Sequence, residues 1–156
     1  MKLSSTVFRN GHIIPREYTC DGENCSPPLF WSEIPEEAKS LALICEDPDA
    51  PSKVWTHWVI FNLPSDMGGI DKGIETIQHL KNGIIQGLND SGDYGYSGPC
   101  PPGGEHRYFF KLYALNTKLE FDSQSLNEGI SKKMLLEAMV GHIIEEVELI
   151  GLYRRE

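Results

Sequence analysis

Two aspartates, two histidines and a tyrosine stand in this sequence at spacings that suit the binding of a small anion. Asp47 and Asp49 lie in Asp47-Pro48-Asp49-Ala50-Pro51. There two prolines fix a turn and hold the carboxylates in defined directions. His57 interrupts the large apolar side chains of Trp55–Leu63. His106 and Tyr108 are two residues apart, so in a strand they share a face while Arg107 takes the other. Just before them, Gly95–Gly104 holds four glycines and three prolines, a density that only a shaped loop tolerates. If these pieces converge, the pocket combines two imidazoles, a phenol, one or two carboxylates and the amides of the glycine loop. Amides and imidazole N–H groups donate to an oxyanion, and a carboxylate orients an imidazole and raises its pKa. Each residue alone has a plainer reading: a satisfied core histidine, a turn-forming aspartate, a core tyrosine. Only their joint occurrence points to a site.

The elements that must position them read as strands. His106–Leu115 is rich in aromatics and has no turn residue, the mark of a buried strand fed by the glycine–proline loop. Ser40–Cys45 is a short buried strand running into the acidic turn. Trp55–Leu63 is apolar on both faces and is expected near the centre of its sheet. Residues 1–14 suggest one or two opening strands, with Asn10-Gly11 as a hairpin signal between them. Residues 15–35 read as loop, broken only by Leu29-Phe30-Trp31. Residues 64–94, about 30 residues long, have the character of a covering loop with one short strand near Ile84-Ile85. Ser131 is a good N-cap for a helix over Lys132–Ile144, after which Val147–Tyr153 reads as a final strand. There is no repeat, no low-complexity tract and no linker, so residues 1–156 are expected to form one mainly β domain.

Composition excludes several classes. The chain carries 14 basic and 23 acidic side chains, a formal net charge of −9. That argues against nucleic acid and against stable docking on an anionic membrane. No apolar run has signal or membrane-spanning length, and a cytoplasmic protein is expected. The cysteines are Cys20, Cys25, Cys45 and Cys100. The Cys20/Cys25 spacing permits a disulfide or half of a metal site, but no second pair stands at metal-ligand spacing. Reduced, half-buried thiols are the expectation, with Cys45 in the core. Neither a metal nor a cofactor is expected.

The stretches DPDAP, WTHWVIFNLP and GYSGPCPPGGEHRYFFKLYAL resemble the signature of the phosphatidylethanolamine-binding protein family, in its compact bacterial and archaeal Raf kinase inhibitor-like branch. YTCDGENCSPPLFWSEIP and MVGHIIEEVELIGLYRRE resemble it too, so the similarity spans nearly the whole chain. The resemblance implies a Greek-key β-sandwich, a large antiparallel sheet with a smaller one beside it, and few helices, one of them near the C-terminus. It implies a small-anion pocket, for phosphate or a phospholipid-like headgroup, lined by Asp47, His57, Gly98, Pro99, His106 and Tyr108. Asp49 and Arg107 are expected to brace that pocket from outside as an ion pair. Cys25 departs from the aliphatic residue of many relatives, which brings a Cys20–Cys25 link into play. A homodimer is also implied.

Fold does not choose function. The first expectation is a non-catalytic binding module that recognises an anionic or phosphorylated ligand and modulates or inhibits a partner such as a kinase or protease. The alternative is a hydrolase of small phosphate or carboxylate esters, with Asp47–His57 or His106 as base and Cys100 as nucleophile. A third reading, protease inhibition by a surface loop, depends on segments such as 64–94.

Overall fold

The computed structural model describes residues 1–155. Its strands are β1 (Lys2–Ser4), β2 (His12–Ile13), β3 (Leu29–Ser32), β4 (Ser40–Asp47), β5 (Trp55–Leu63), β6 (Gly69–Ile70), β7 (Ile85–Gln86), β8 (His106–Leu115) and β9 (Ile143–Tyr153). Two short helices, α1 (Ser123–Glu128) and α2 (Lys132–Met139), precede β9. The strands form a six-stranded sheet in the order β2-β9-β8-β4-β5-β7 and a three-stranded sheet in the order β1-β3-β6. All pairings are antiparallel except β2 with β9. This is the expected mainly β architecture, a large sheet with a smaller one beside it.

β4 and β5 are buried at nearly every position because the large sheet is covered on both faces. One face packs Leu41, Leu43, Trp58, Ile60, Tyr108, Phe110 and Leu112 with Leu3, Leu29 and Trp31 of the small sheet. The other packs Ala42, Ile44, Val59, Phe61 and Leu115 with Leu135 and Met139 of α2. Alternation along each strand therefore feeds two cores, and the strand ends beyond both are left to form a site.

Several boundaries differ from the sequence reading. The Asn10-Gly11 turn makes no hairpin: β1 pairs with β3, whereas β2 pairs with β9. Gly11 supplies the left-handed φ of +79° that turns the chain from one sheet to the other. Leu29–Trp31 is a strand, and β6 completes its sheet. Ser131 does cap α2, its Oγ accepting from the Met134 amide at 3.2 Å, but the helix stops at Met139 rather than Ile144. Gly141, at φ +82°, turns the chain, so Ile143 pairs with Leu115 as the first residue of β9. That final strand begins four residues before the expected Val147. The sequence reading lacked α1, whose start is marked by Asp122 Oδ1 accepting from the Ser125 amide at 2.7 Å. No helix among the described residues is long and apolar enough to cross a membrane.

Candidate functional site

β5 and β8 are not neighbours, because β4 lies between them. Their histidines meet because β4 ends between them in Asp47. Asp47 is 3% exposed, His57 5%, His106 6% and Tyr108 0%, so four polar groups are withdrawn from water at one end of the sheet. Burial on that scale needs partners. Asp47 Oδ2 accepts from His106 Nδ1 at 2.6 Å, and its Oδ1 accepts from the Asp49 amide at 2.8 Å.

His57 reaches this group through an irregularity in the ladder. Cys45 pairs with Trp58 and Glu46 pairs with Thr56, so His57 is the extra residue of a β-bulge. In a regular pleat it would share a face with Val59 and Phe61, the side of α2. The bulge turns it instead to the Tyr108 side, where the two rings meet edge to face at 5.2 Å between centroids. The His106 ring stacks along Tyr108 from the other side at 6.5 Å. His57 Nδ1 donates to the Ser97 carbonyl at 2.5 Å, and the Ser97 amide donates back to the His57 carbonyl at 2.9 Å.

These bonds fix the tautomers. A carbonyl can only accept, so His57 Nδ1 carries a proton, and the Asp47 carboxylate makes the same demand of His106 Nδ1. In each neutral ring Nε2 is then the free nitrogen, a bare acceptor that becomes a donor only as imidazolium. Burial holds His57 below the usual histidine pKa, against the opposing pull of the Ser97 carbonyl and Asp47. The Tyr108 hydroxyl makes no hydrogen bond of ordinary geometry, although the Asp47 carboxylate lies close enough to act on it; burial, together with that carboxylate, pushes its pKa far above the usual phenol value. It is a neutral donor beside Asp47, whose oxygens already accept from His106 and the Asp49 amide.

The cavity between these groups has a volume of about 70 Å³ and is lined by Asp47, His57, His106 and Tyr108, with Trp55, Ala50, Cys100, Pro101 and Pro102 completing the wall. A drug-sized molecule needs roughly 300 Å³ or more; one small oxyanion suits this space. Gly98 and Pro99 stand one step behind the wall. The amides of Gly95, Ser97 and Gly98 are taken by Gly87, His57 and Asn24 respectively, so the start of the glycine loop does not offer its N–H groups to the cavity. Gly98 is required for a close approach instead: a Cβ there would lie 2.4 Å from both Asn24 Oδ1 and the Tyr18 carbonyl oxygen. Asp49 and Arg107 form a two-pronged ion pair outside the cavity, with Nε to Oδ2 and Nη2 to Oδ1 both at 2.9 Å. Arg107 holds the Asp49 carboxyl below its usual pKa.

The cysteines are paired otherwise than expected. Cys20 and Cys100 form a disulfide with their Cα atoms 5.5 Å apart, while Cys25 and Cys45 are free. Cys25 points instead towards Glu17. The bridge, the Cys20 amide bonded to the Pro99 carbonyl, and the Tyr96 hydroxyl bonded to the Tyr18 carbonyl lash the glycine–proline loop to residues 18–24. Cys100 is thereby removed as a thiolate nucleophile. Sequence reasoning passed over Trp55, Pro101, Pro102 and Asn24. Asn24 alone carried a signal: it adopts φ +61°, which asparagine tolerates better than most residues. Among the described residues, the one cluster with its ligand atoms close enough for a metal is Glu17, Glu23 and Cys25. Glu17 is already paired with Lys72 at 2.8 Å, and none of the three lines the cavity.

Comparison with known proteins agrees with this fold. The family model described as phosphatidylethanolamine-binding protein matches residues 4–154. A UPF0098 protein of Methanothermobacter thermautotrophicus is 59% identical over 155 residues, covering 99% of each chain. The crystal structure of CT736 from Chlamydia trachomatis, described as a homologue of phosphatidylethanolamine-binding protein, superposes with a TM-score of 0.87 at 42% identity, covering 99% of this chain and 97% of that one. Escherichia coli YbcL, described as a member of the mammalian PEBP family, also gives 0.87, at 32% identity over 99% of this chain and 98% of its own.

Proposed function

The chain belongs to the phosphatidylethanolamine-binding protein family, and from that premise we propose that it is a binding module for a phosphate or phosphate-like oxyanion. The observation that carries this reading is the Tyr108 hydroxyl, fully buried beside two histidines with no well-formed hydrogen bond. An unpaired buried donor costs about 1–3 kcal/mol, and an oxyanion in the cavity would accept from it and relieve that cost. The ligand's charge is met by Nε2–H of the His57 imidazolium, and His106, oriented by Asp47, faces it with its own Nε2. A phosphate carried by a partner protein would bring that partner to the pocket mouth, and modulation of a kinase or protease would follow by occlusion. Calorimetric titration of phosphate and phosphoethanolamine into the protein and into its His57→Ala and His106→Ala variants tests the reading. Saturable binding lost in both variants supports it; absence of binding, or binding unchanged by either substitution, overturns it.

The buried Asp47–His106 pair favours a second reading. A carboxylate-oriented imidazole with a free Nε2 is the arrangement of a general base, which would activate water against a bound phosphate or carboxylate ester. No thiol nucleophile takes part, since Cys100 is bridged. Turnover of generic esters that disappears in Asp47→Asn and His106→Ala would establish it; inertness with retained anion binding leaves the binding module alone.

A further inference from the structure

Beside the anion pocket lies a second and larger cavity. The two share Pro102, and the larger one, of about 740 Å³, is walled by Ile13, Pro15, Tyr153 and the arginines Arg16, Arg154 and Arg155. Its volume falls in the range of ligand sites. Its charge runs against the rest of the molecule. The chain has a net charge of −9 and five arginines (Arg9, Arg16, Arg107, Arg154, Arg155), and three of the five gather here. One acid, Asp21, lines the cavity with them. Asp21 accepts from the Tyr153 hydroxyl at 2.7 Å and pairs with Arg155 at 3.1 Å, and these contacts keep its carboxyl below the usual pKa. Arg155 is therefore held in place and largely neutralised. Arg16 and Arg154 are exposed and pair with no carboxylate among the described residues; Arg16 Nε donates to the Asp21 carbonyl at 2.9 Å, which leaves its terminal nitrogens for a ligand.

The two cavities are also fixed relative to each other. Tyr153 stands opposite His106 in the β8–β9 ladder. The Cys20–Cys100 bridge ties the residue before Asp21 to the loop that carries Pro102. An anion seated between His57 and His106 thus has an arginine-lined groove at a set distance, with Pro102 shared by the two and apolar Ile13 and Pro15 in the groove wall.

We propose that this groove is a second anion subsite and that the ligand carries two anionic groups. One is a phosphate in the histidine pocket. The other, a phosphate or carboxylate joined to it by a short apolar spacer, is received by Arg16 and Arg154. Guanidinium groups suit that role because their forked donors match the oxygens of either anion. The inference rests on the anion-pocket reading above and deepens it by naming the ligand class.

The test is calorimetry with inorganic phosphate and with a series of α,ω-alkanediol bisphosphates of increasing chain length. It is run on the intact, oxidised protein, on His57→Ala, and on Arg16→Ala, Arg154→Ala and their double variant. Arg154 makes no side-chain hydrogen bond among the described residues, and Arg16→Ala removes one to the Asp21 carbonyl; a melting curve of each variant checks that the fold is kept. The expected result is that one chain length binds about tenfold or more tightly than phosphate. The double variant should lose that gain while its affinity for phosphate stays unchanged, and the gain should shrink as salt is raised. Equal affinity for phosphate and every bisphosphate, or a gain that survives the double variant, overturns the second subsite and leaves the first intact. Failure of phosphate itself to bind, or binding insensitive to His57→Ala, overturns the pocket reading and this inference together.

Discussion

If the pocket binds an anion as proposed, binding must take up a proton at His57. His57 Nδ1 donates to the Ser97 carbonyl, so the nitrogen left for a ligand is Nε2, which bears no proton in the neutral ring. Burial also keeps the His57 pKa below 6.5, so the free protein holds this ring neutral at pH 7. An oxyanion facing a bare Nε2 meets a lone pair; facing Nε2–H of an imidazolium, it gains a charge-assisted hydrogen bond. Each proton taken up makes affinity fall about tenfold per pH unit above the pKa of the free group, or about 1.4 kcal/mol per unit. Between pH 6 and pH 8 one such proton is worth up to about 100-fold, about 2.7 kcal/mol. Sulfate is the appropriate probe because its charge does not change across that interval. Calorimetry in two buffers of different ionisation enthalpy gives the proton count directly. The account predicts uptake of at least one proton at pH 7 and a dissociation constant that climbs steadily with pH. A constant independent of pH with no proton uptake would refute the reasoning, because the ligand would then be met by neutral donors alone.

Other predictions follow from the same geometry. Tyr108→Phe should reduce phosphate affinity about tenfold or more while leaving thermal stability unchanged or higher, since the lost hydroxyl is unpaired without ligand; calorimetry and a melting curve read the two effects separately. Reducing the disulfide, or replacing Cys100 by serine, opens a loop closed over a sequence separation of 80 residues. The expected loss is about 2–5 kcal/mol, visible as a drop of roughly 10 °C in midpoint and as weaker anion binding. Gly98→Ala should cost about 1–3 kcal/mol through its clash with Asn24 and Tyr18, seen as a lower denaturant midpoint. The lowered pKa of His57 means that the unfolded chain binds more protons as pH falls below 6.5. Stability of the free protein should therefore fall on acidification through that point, and added sulfate should restore more of it at pH 5.5 than at pH 7.5.

What could be read from the sequence was what depends on local period and composition. The shared face of His106 and Tyr108 follows from alternation within one strand, and the glycine–proline density marked a loop. Features set by distant pairings were not legible. Nothing near His57 signals a bulge; it arises because β4 and β5 differ by one residue between Cys45 and Glu46. The Cys20–Cys100 bridge joins residues far apart in the chain, and cysteine spacing favoured the nearer Cys25 only by proximity. The Asn10-Gly11 turn has hairpin chemistry, but its flanking strands belong to different sheets. The helix end was legible and passed over: Gly141 sits where a C-terminal glycine belongs, and the apolar positions beyond it serve β9.

In the proposed binding mode both imidazoles present Nε2 to the oxyanion. Nitrogen-15 NMR of the histidine side chains during phosphate titration tests it most directly. Nε2 of His57 should shift from the unprotonated to the protonated range, and Nε2 of His106 should move in the same titration, with one midpoint that matches the calorimetric dissociation constant. Saturable phosphate binding with both Nε2 resonances unmoved would contradict it.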